Sequence, residues 1–348
     1  MKKNPFYSIL LLFFGLAAGA ALAEVIASFY LPAPTANKLP FLRLEADRFC
    51  GYKFRPNQVG YILSGKVTIN RWGFRGKDWT LEKAPDVVRL VLLGDSYGEG
   101  HGVGDEETVG AQLENILNVR AHGNKHYEVL NFSVGGYDSG HEIKVLQHHA
   151  LKFRPDIVLM HFFLNDLLYV KDYSGYPRLF VEAERTFSLW KWKVRELCRR
   201  SRLLMTAWDW WHSITPDPMN ETMRAYVDED LMPPTGPGRD GWEFVVTQLR
   251  QFQFLALENK FKPILVIIPT PQEIVNRKKG VAYQNFLIKQ CRAMDIVPVT
   301  LLSDFCHGGI DWMRLFIPYD WHFTKEGHRI IAESLSRVIE AYYPLGAN

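Results

Sequence analysis

Ser96 lies in Gly94-Asp95-Ser96-Tyr97, directly after the apolar run Val87-Val88-Arg89-Leu90-Val91-Leu92-Leu93. A buried strand that ends this way delivers a serine to the carboxyl edge of a sheet, where α/β folds place their ligands. A hydroxyl there becomes a nucleophile only if a base and a site for a developing oxyanion converge on it. Three later blocks offer such groups. Asn131-Phe132-Ser133-Val134-Gly135-Gly136 follows a short strand pattern, Phe162-Phe163-Leu164-Asn165-Asp166 ends another, and Asp320-Trp321-His322 stands near the carboxyl terminus. Each block is weak alone; their order and their places at strand ends are the stronger signal.

Taken in order, the four blocks resemble the SGNH (GDSL-type) hydrolases, a family named for its Ser, Gly, Asn and His. The likeness extends over residues 85–342. A segment of the type Asn70-Arg71-Trp72-Gly73-Phe74-Arg75 resembles one found before the serine block in membrane-linked bacterial members. The resemblance implies ester hydrolysis or acyl transfer through an acyl-serine. It implies Ser96 as nucleophile, His322 as general base and Asp320 as the acid that orients the imidazole. It also implies three oxyanion donors: the Ser96 N–H, the Gly136 N–H and the Asn165 side chain. Gly136 matches by its spacing from Asn131, and Gly135 is one register step away. No metal or organic cofactor is implied.

Two departures from the family pattern matter. Phe163 stands where the family usually has glycine, so a ring is expected to narrow or reshape the pocket. The family's aspartate usually lies three residues before its histidine, and that position here is Tyr319. Asp320 is two residues before His322, and residues i and i+2 of an extended segment project to one side. An extended Tyr319–Phe323 segment is therefore expected. In a tight turn, Asp311 or Asp304 would have to reach in, or Ser96 and His322 would act as a dyad.

Other polar residues read as structural. Adjacent on a helix, His148 and His149 point in different directions and make a poor metal pair. His101 follows the serine block closely and could touch substrate, but reads first as a turn residue; His328 reads as part of a helix start, Asp95 as a brace of the nucleophile loop and Asp166 as a cap or brace. There is no HExxH, CxxC pair or phosphate loop. Cys50, Cys198, Cys291 and Cys306 lack metal-ligand spacing and read either as buried thiols or as disulfide partners in an oxidising compartment.

Strand patterns at 88–93, 127–132, 157–163, 264–268 and 296–300 alternate with helix patterns at 107–118, 139–152, 241–260, 281–294 and 325–342. That alternation predicts an α/β chain with a mainly parallel sheet covered on both faces. With the resemblance, it predicts a three-layer α/β/α flavodoxin-like SGNH fold. Residues 85–345 are expected to form the hydrolase domain, with a helical and loop insertion at 167–240. Its first half is basic and aromatic, which suits either a cap helix or a helix laid on anionic lipid. Its second half is rich in proline and could border the active site. Residues 32–84 read as a connecting segment with a short β element.

Residues 1–31 begin Met1-Lys2-Lys3 and continue as a long apolar stretch interrupted by Glu24. An uncleaved membrane anchor and a signal peptide cut after Ala23 both fit. Either places the catalytic body outside the cytoplasm, on the periplasmic side. The net charge of +3 offers no footprint for nucleic acid. The expected partners are the membrane and a small-molecule or glycan ester. Acylated, above all acetylated, carbohydrate is the favoured substrate. A lipase or thioesterase on lipid acyl esters, or a non-catalytic glycan-binding or assembly protein, are the alternatives.

Overall fold

The computed structural model describes residues 5–121, 125–168, 189–214, 239–275, 282–306 and 311–342. Its centre is a five-stranded parallel sheet of β5 (Val87–Leu93), β6 (His126–Asn131), β7 (Ile157–Phe162), β8 (Lys262–Ile267) and β9 (Val297–Thr300), in the order β6-β5-β7-β8-β9. This is the flavodoxin order, with its topological switch beside β5. The inner strands β5, β7 and β8 are mostly apolar because helices cover both faces. β7 is buried along its whole length.

Right-handed crossovers assign the layers. Helices Val109–Arg120 and Lys325–Tyr342 pack together on one face, and helices Ser139–Val145 and Arg239–Asn259 on the other. The one charged residue inside β5, Arg89, is fully buried yet well bonded. It pairs with Glu128 on β6 at 2.7 Å and donates to the Phe153 carbonyl at 2.8 Å. A buried guanidinium is tolerable only with such partners.

Before the sheet, the connecting segment is more ordered than expected. It forms two hairpins, β1 (Leu44–Asp47) with β2 (Gly51–Phe54), and β3 (Gln58–Ile62) with β4 (Gly65–Ile69). The Asn70–Arg75 segment follows β4 and holds the turn that carries Ser96. Asn70 Oδ1 accepts the N–H groups of Trp72 and Phe74, which folds the turn and sends Phe74 into the core against Phe132. Arg75 then donates to the carbonyls of Glu99, Gly100 and Val103 at 2.7–3.1 Å and pairs with Asp105 at 3.0 Å.

Among the described residues one helix, Pro5–Tyr30, is long and apolar enough to cross a membrane. Most of the expected 167–240 insertion, including its proline-rich half, lies outside the described residues. Two of its helices, Leu189–Arg199 and Arg202–Ile214, are described. All four cysteines are free, with Cys50 and Cys291 buried.

Candidate active site

β5 ends at Leu93, and a one-turn helix, Ser96–Glu99, starts at once. The turn needs small residues because the β7 side chain His161 lies beneath it. A Cβ on Gly94 or Gly98 would stand 3.1 Å from His161 Nδ1. Asp95 caps the short helix by accepting the Tyr97 N–H at 2.9 Å. This fixes Ser96 at the carboxyl edge of the sheet, half-buried.

His322 comes to the same point from the far end of the chain. Its Nε2 is 2.8 Å from Ser96 Oγ, and its Nδ1 is 2.6 Å from Asp320 Oδ1. The three side chains form one hydrogen-bonded line. Burial works to raise the Asp320 carboxyl, but the hydrogen bond and charge of His322 outweigh it and hold the carboxyl below its usual range.

The segment around Asp320 is not extended, contrary to the sequence expectation. It is a tight turn in which the Asp320 and Trp321 N–H groups both donate to the Ile317 carbonyl. Asp320 nevertheless reaches its neighbour because Tyr319 and Trp321 take left-handed φ values of 62° and 69°. Left-handed residues on either side swing the carboxylate back onto the ring, and such strained φ values cluster at functional sites. Asp311 instead caps a short helix by accepting the Met313 N–H at 3.0 Å, and Asp304 pairs with Arg337.

On the other side of Ser96 the structure gathers the remaining candidates. Asn165 sits in a 3₁₀ turn after β7 and donates one Nδ2 hydrogen to Asp95 Oδ2 at 2.9 Å. Gly135 N–H is engaged by Glu99 Oε2 at 2.5 Å. Gly136 has a left-handed φ of 83°, and a Cβ there would press on Tyr52 Oη at 2.8 Å. Of the two glycines, only Gly136 keeps a backbone N–H with no acceptor among the described residues. Phe163 is buried. Its ring packs on Tyr97 at 4.5 Å, and Tyr97 in turn packs on His322 at 5.1 Å.

His101 is a neighbour that sequence reasoning placed in a plain turn. Its ring stacks on His322 at 4.2 Å, and its Nε2 lies 3.9 Å from Asp320 Oδ2. Burial, then the nearby His322, pushes His101 down to about 4, so it is neutral near pH 7. Its position five residues after Ser96, just past the short helix, was the only available signal. His148 and His149 do separate jobs: the first stacks on Phe49 and the second meets Asp47 at 3.0 Å. Asp166 accepts the Phe163 N–H at 3.0 Å, and His328 is buried.

Two groups of described residues bring potential ligand atoms within 4.8 Å of one another: Asp47, Cys50 and His149, and His101, Asp320 and His322. In the first, burial pushes the Cys50 thiol up to about 12, and the thiolate is the form that binds metal. The second is the hydrogen-bonded His322–Asp320 pair already described, with His101 stacked on it.

A serine held by a histidine and an aspartate, beside an amide and backbone donors at the carboxyl edge of a flavodoxin-like sheet, defines an acyl-transfer site of the serine type. Residues 92–330 match the model of the GDSL-like lipase/acylhydrolase family. The match covers more than half of the chain, and the protein belongs to that family; it is a serine ester hydrolase of SGNH type.

Among solved structures, the chain is similar to TesA (15% identity, TM-score 0.43, covering 74% of this chain and 99% of that one). It is also similar to the acetyl xylan esterase AlAXEase (14%, 0.44, 72% and 100%). A lipase/acylhydrolase from Enterococcus faecalis is a third (14%, 0.39, 73% and 96%). Likeness at this level carries no information on substrate. No curated protein gives a significant match.

Proposed function

We propose that Ser96, His322 and Asp320 act as a catalytic triad on acyl esters. The observation that carries this reading is the unbroken hydrogen-bonded line from Ser96 Oγ through both nitrogens of His322 to Asp320. Asp320 accepts the Nδ1 proton, which leaves Nε2 as the free base facing the hydroxyl. Ser96 Oγ attacks the ester carbonyl while Nε2 takes its proton. The proton then passes to the leaving alkoxide as the carbon–oxygen bond breaks. Water, or an acceptor alcohol in a transfer, repeats the sequence on the acyl-serine. The acid or new ester leaves and Ser96 regains its proton.

The negative charge on the carbonyl oxygen falls, in this reading, to the Ser96 N–H, the Gly136 N–H and the second Nδ2 hydrogen of Asn165. The engagement of Gly135 by Glu99 supports the choice of Gly136. We read residues 85–345 as the catalytic domain and helix Pro5–Tyr30 as an uncleaved anchor that keeps this domain on the extracytoplasmic side.

For substrate we favour an acylated carbohydrate. Trp321, next to His322 in the chain, stacks with Trp312 at 6.4 Å, and both indoles remain more than a third exposed. An exposed aromatic face beside the base offers a sugar ring an apolar platform with polar edges. A panel of p-nitrophenyl esters of increasing chain length tests the reading. Activity confined to acetate supports it, preference for long chains points to a lipid ester, and no turnover or transfer with any ester leaves a binding protein.

A further inference from the structure

The two described helices of the insertion share a feature that the catalytic reading does not use. In Leu189–Arg199, Trp190, Val194 and Leu197 recur at i, i+4 and i+7, and all are exposed, Trp190 by 72% and Leu197 by 70%. In Arg202–Ile214, Leu204, Trp208 and Trp211 repeat the same spacing, with Trp208 61% and Trp211 56% exposed. The inward faces are occupied. Glu196 accepts the Asn37 N–H at 3.0 Å, Trp192 packs on Phe41, and Met205 is buried. Each helix thus turns an apolar stripe outward, and Lys193, Arg195 and Arg200 are exposed nearby.

What covers these stripes follows from where the pair is attached. Glu24, the one charge inside the apolar amino-terminal helix, accepts the Ser201 hydroxyl at 2.7 Å and the Arg202 N–H at 2.5 Å. It therefore caps helix Arg202–Ile214 from another element, where a helix amino terminus favours negative charge. Arg202 returns the contact by donating to the carbonyls of Ser28 and Leu31. From Phe6 to Leu22 every residue of the apolar helix is exposed. At ~1.5 Å per residue the path from Phe6 to Glu24 is about 27 Å, close to the hydrocarbon thickness of a bilayer. The attachment point accordingly falls at the level where hydrocarbon gives way to headgroups.

We propose that helices Leu189–Arg199 and Arg202–Ile214 form an interfacial foot. Their apolar stripes sink into the headgroup–acyl boundary of the leaflet reached by the carboxyl end of helix Pro5–Tyr30. Tryptophan bodies at that depth and basic side chains at anionic headgroups are the chemistry this boundary favours. The proposal rests on the reading of Pro5–Tyr30 as an uncleaved anchor.

The test uses the full-length chain carrying Cys198→Ser, reconstituted into phosphatidylcholine vesicles with added phosphatidylglycerol. An NBD probe is attached in turn at Leu197→Cys, at Trp208→Cys and, as a control on the exposed end of helix Arg239–Asn259, at Glu258→Cys. The foot predicts a blue-shifted emission at the first two sites. It predicts quenching there by doxyl-labelled lipid and several-fold weaker quenching by aqueous iodide than at the control. A chain that floats with the vesicles while all three probes are equally quenched by iodide overturns the foot and leaves the anchor standing. A chain that does not float overturns both. Circular dichroism and two probe sites on separate helices distinguish a misfolded variant from a displaced helix.

Discussion

Asp95 binds Asn165: the carboxylate beside Ser96 holds the side-chain amide of the next strand end at 2.9 Å while its other oxygen caps Tyr97. Burial pushes this carboxyl up, and the two hydrogen bonds pull against that. The amide has one further Nδ2 hydrogen, aimed by the bond that the first one makes. Asn165→Ala is therefore expected to lower kcat by about 10²–10³ with a smaller effect on KM. Asp95→Ala should produce a loss of the same kind. The double variant should lose little more than the worse single one, because the two residues act as a unit. Steady-state kinetics of the three variants checks this, and full additivity would separate their roles.

Ser96→Ala is expected to abolish turnover and leave the melting transition near that of the parent. A serine-directed phosphonate should attach at Ser96, read by peptide mass spectrometry. Attachment at another serine would move the nucleophile.

The left-handed residues on either side of Asp320 make its role testable against its neighbours. Asp320→Asn should cut kcat by up to about 10⁴, since an amide favours the wrong histidine tautomer. Asp311→Asn and Asp304→Asn should be mild, because these carboxylates serve a helix cap and an ion pair elsewhere. A crippled Asp311 or Asp304 variant with a healthy Asp320 variant would reverse the assignment.

His161 and His328 are buried and neutral, and burial pushes each down to about 3. The unfolded chain binds their protons near pH 6.5. Stability they contribute is complete above that pH and is lost as pH falls toward 3, with a slope of up to about 1.4 kcal/mol per pH unit for each. Glu99 has the opposite sign. Burial pushes it up to about 7, so its contribution is lost as pH rises from about 4.5 toward 7. Denaturant unfolding against pH should show a shallower slope where these windows overlap, from about 4.5 to 6.5, and a steep acid limb below it. His161→Gln should flatten the acid limb, and Glu99→Gln should flatten the loss toward neutral pH.

The anchor can be decided without any assay of activity. The full-length protein should sediment with membranes and keep its amino-terminal residues. Mature protein that starts at Glu24 in the soluble fraction would mean a signal peptide, and the cap of helix Arg202–Ile214 would then come from a chain end.

The positions of Ser96, Asn165 and the five strands could be read from the chain because strand ends carry two strong local signals, apolar runs and the small or polar residues that stop them. The i, i+2 contact of Asp320 with His322 was legible only as a spacing. Its geometry depends on left-handed φ values at a tyrosine and a tryptophan, residues whose types do not announce that conformation. His101 was missed as a partner of His322 because stacking between residues over two hundred positions apart leaves no periodic trace. The Asn70–Arg75 segment was visible as a motif, but its work was not. Only the fold shows the Arg75 guanidinium gathering three carbonyls of the turn that follows Ser96.

Tyr319, in the loop that carries His322, ends in a hydroxyl 3.0 Å from Thr206 Oγ1 and 3.4 Å from the Pro32 carbonyl. The loop of His322 is thereby stapled to helix Arg202–Ile214 and to the chain just past helix Pro5–Tyr30. With the anchor in a bilayer, the ester-cleaving end of the molecule is also its lipid-facing end. Encounter with a substrate tethered to the same leaflet then becomes a search in two dimensions. Its rate follows the number of esters per unit of surface and is insensitive to bulk dilution.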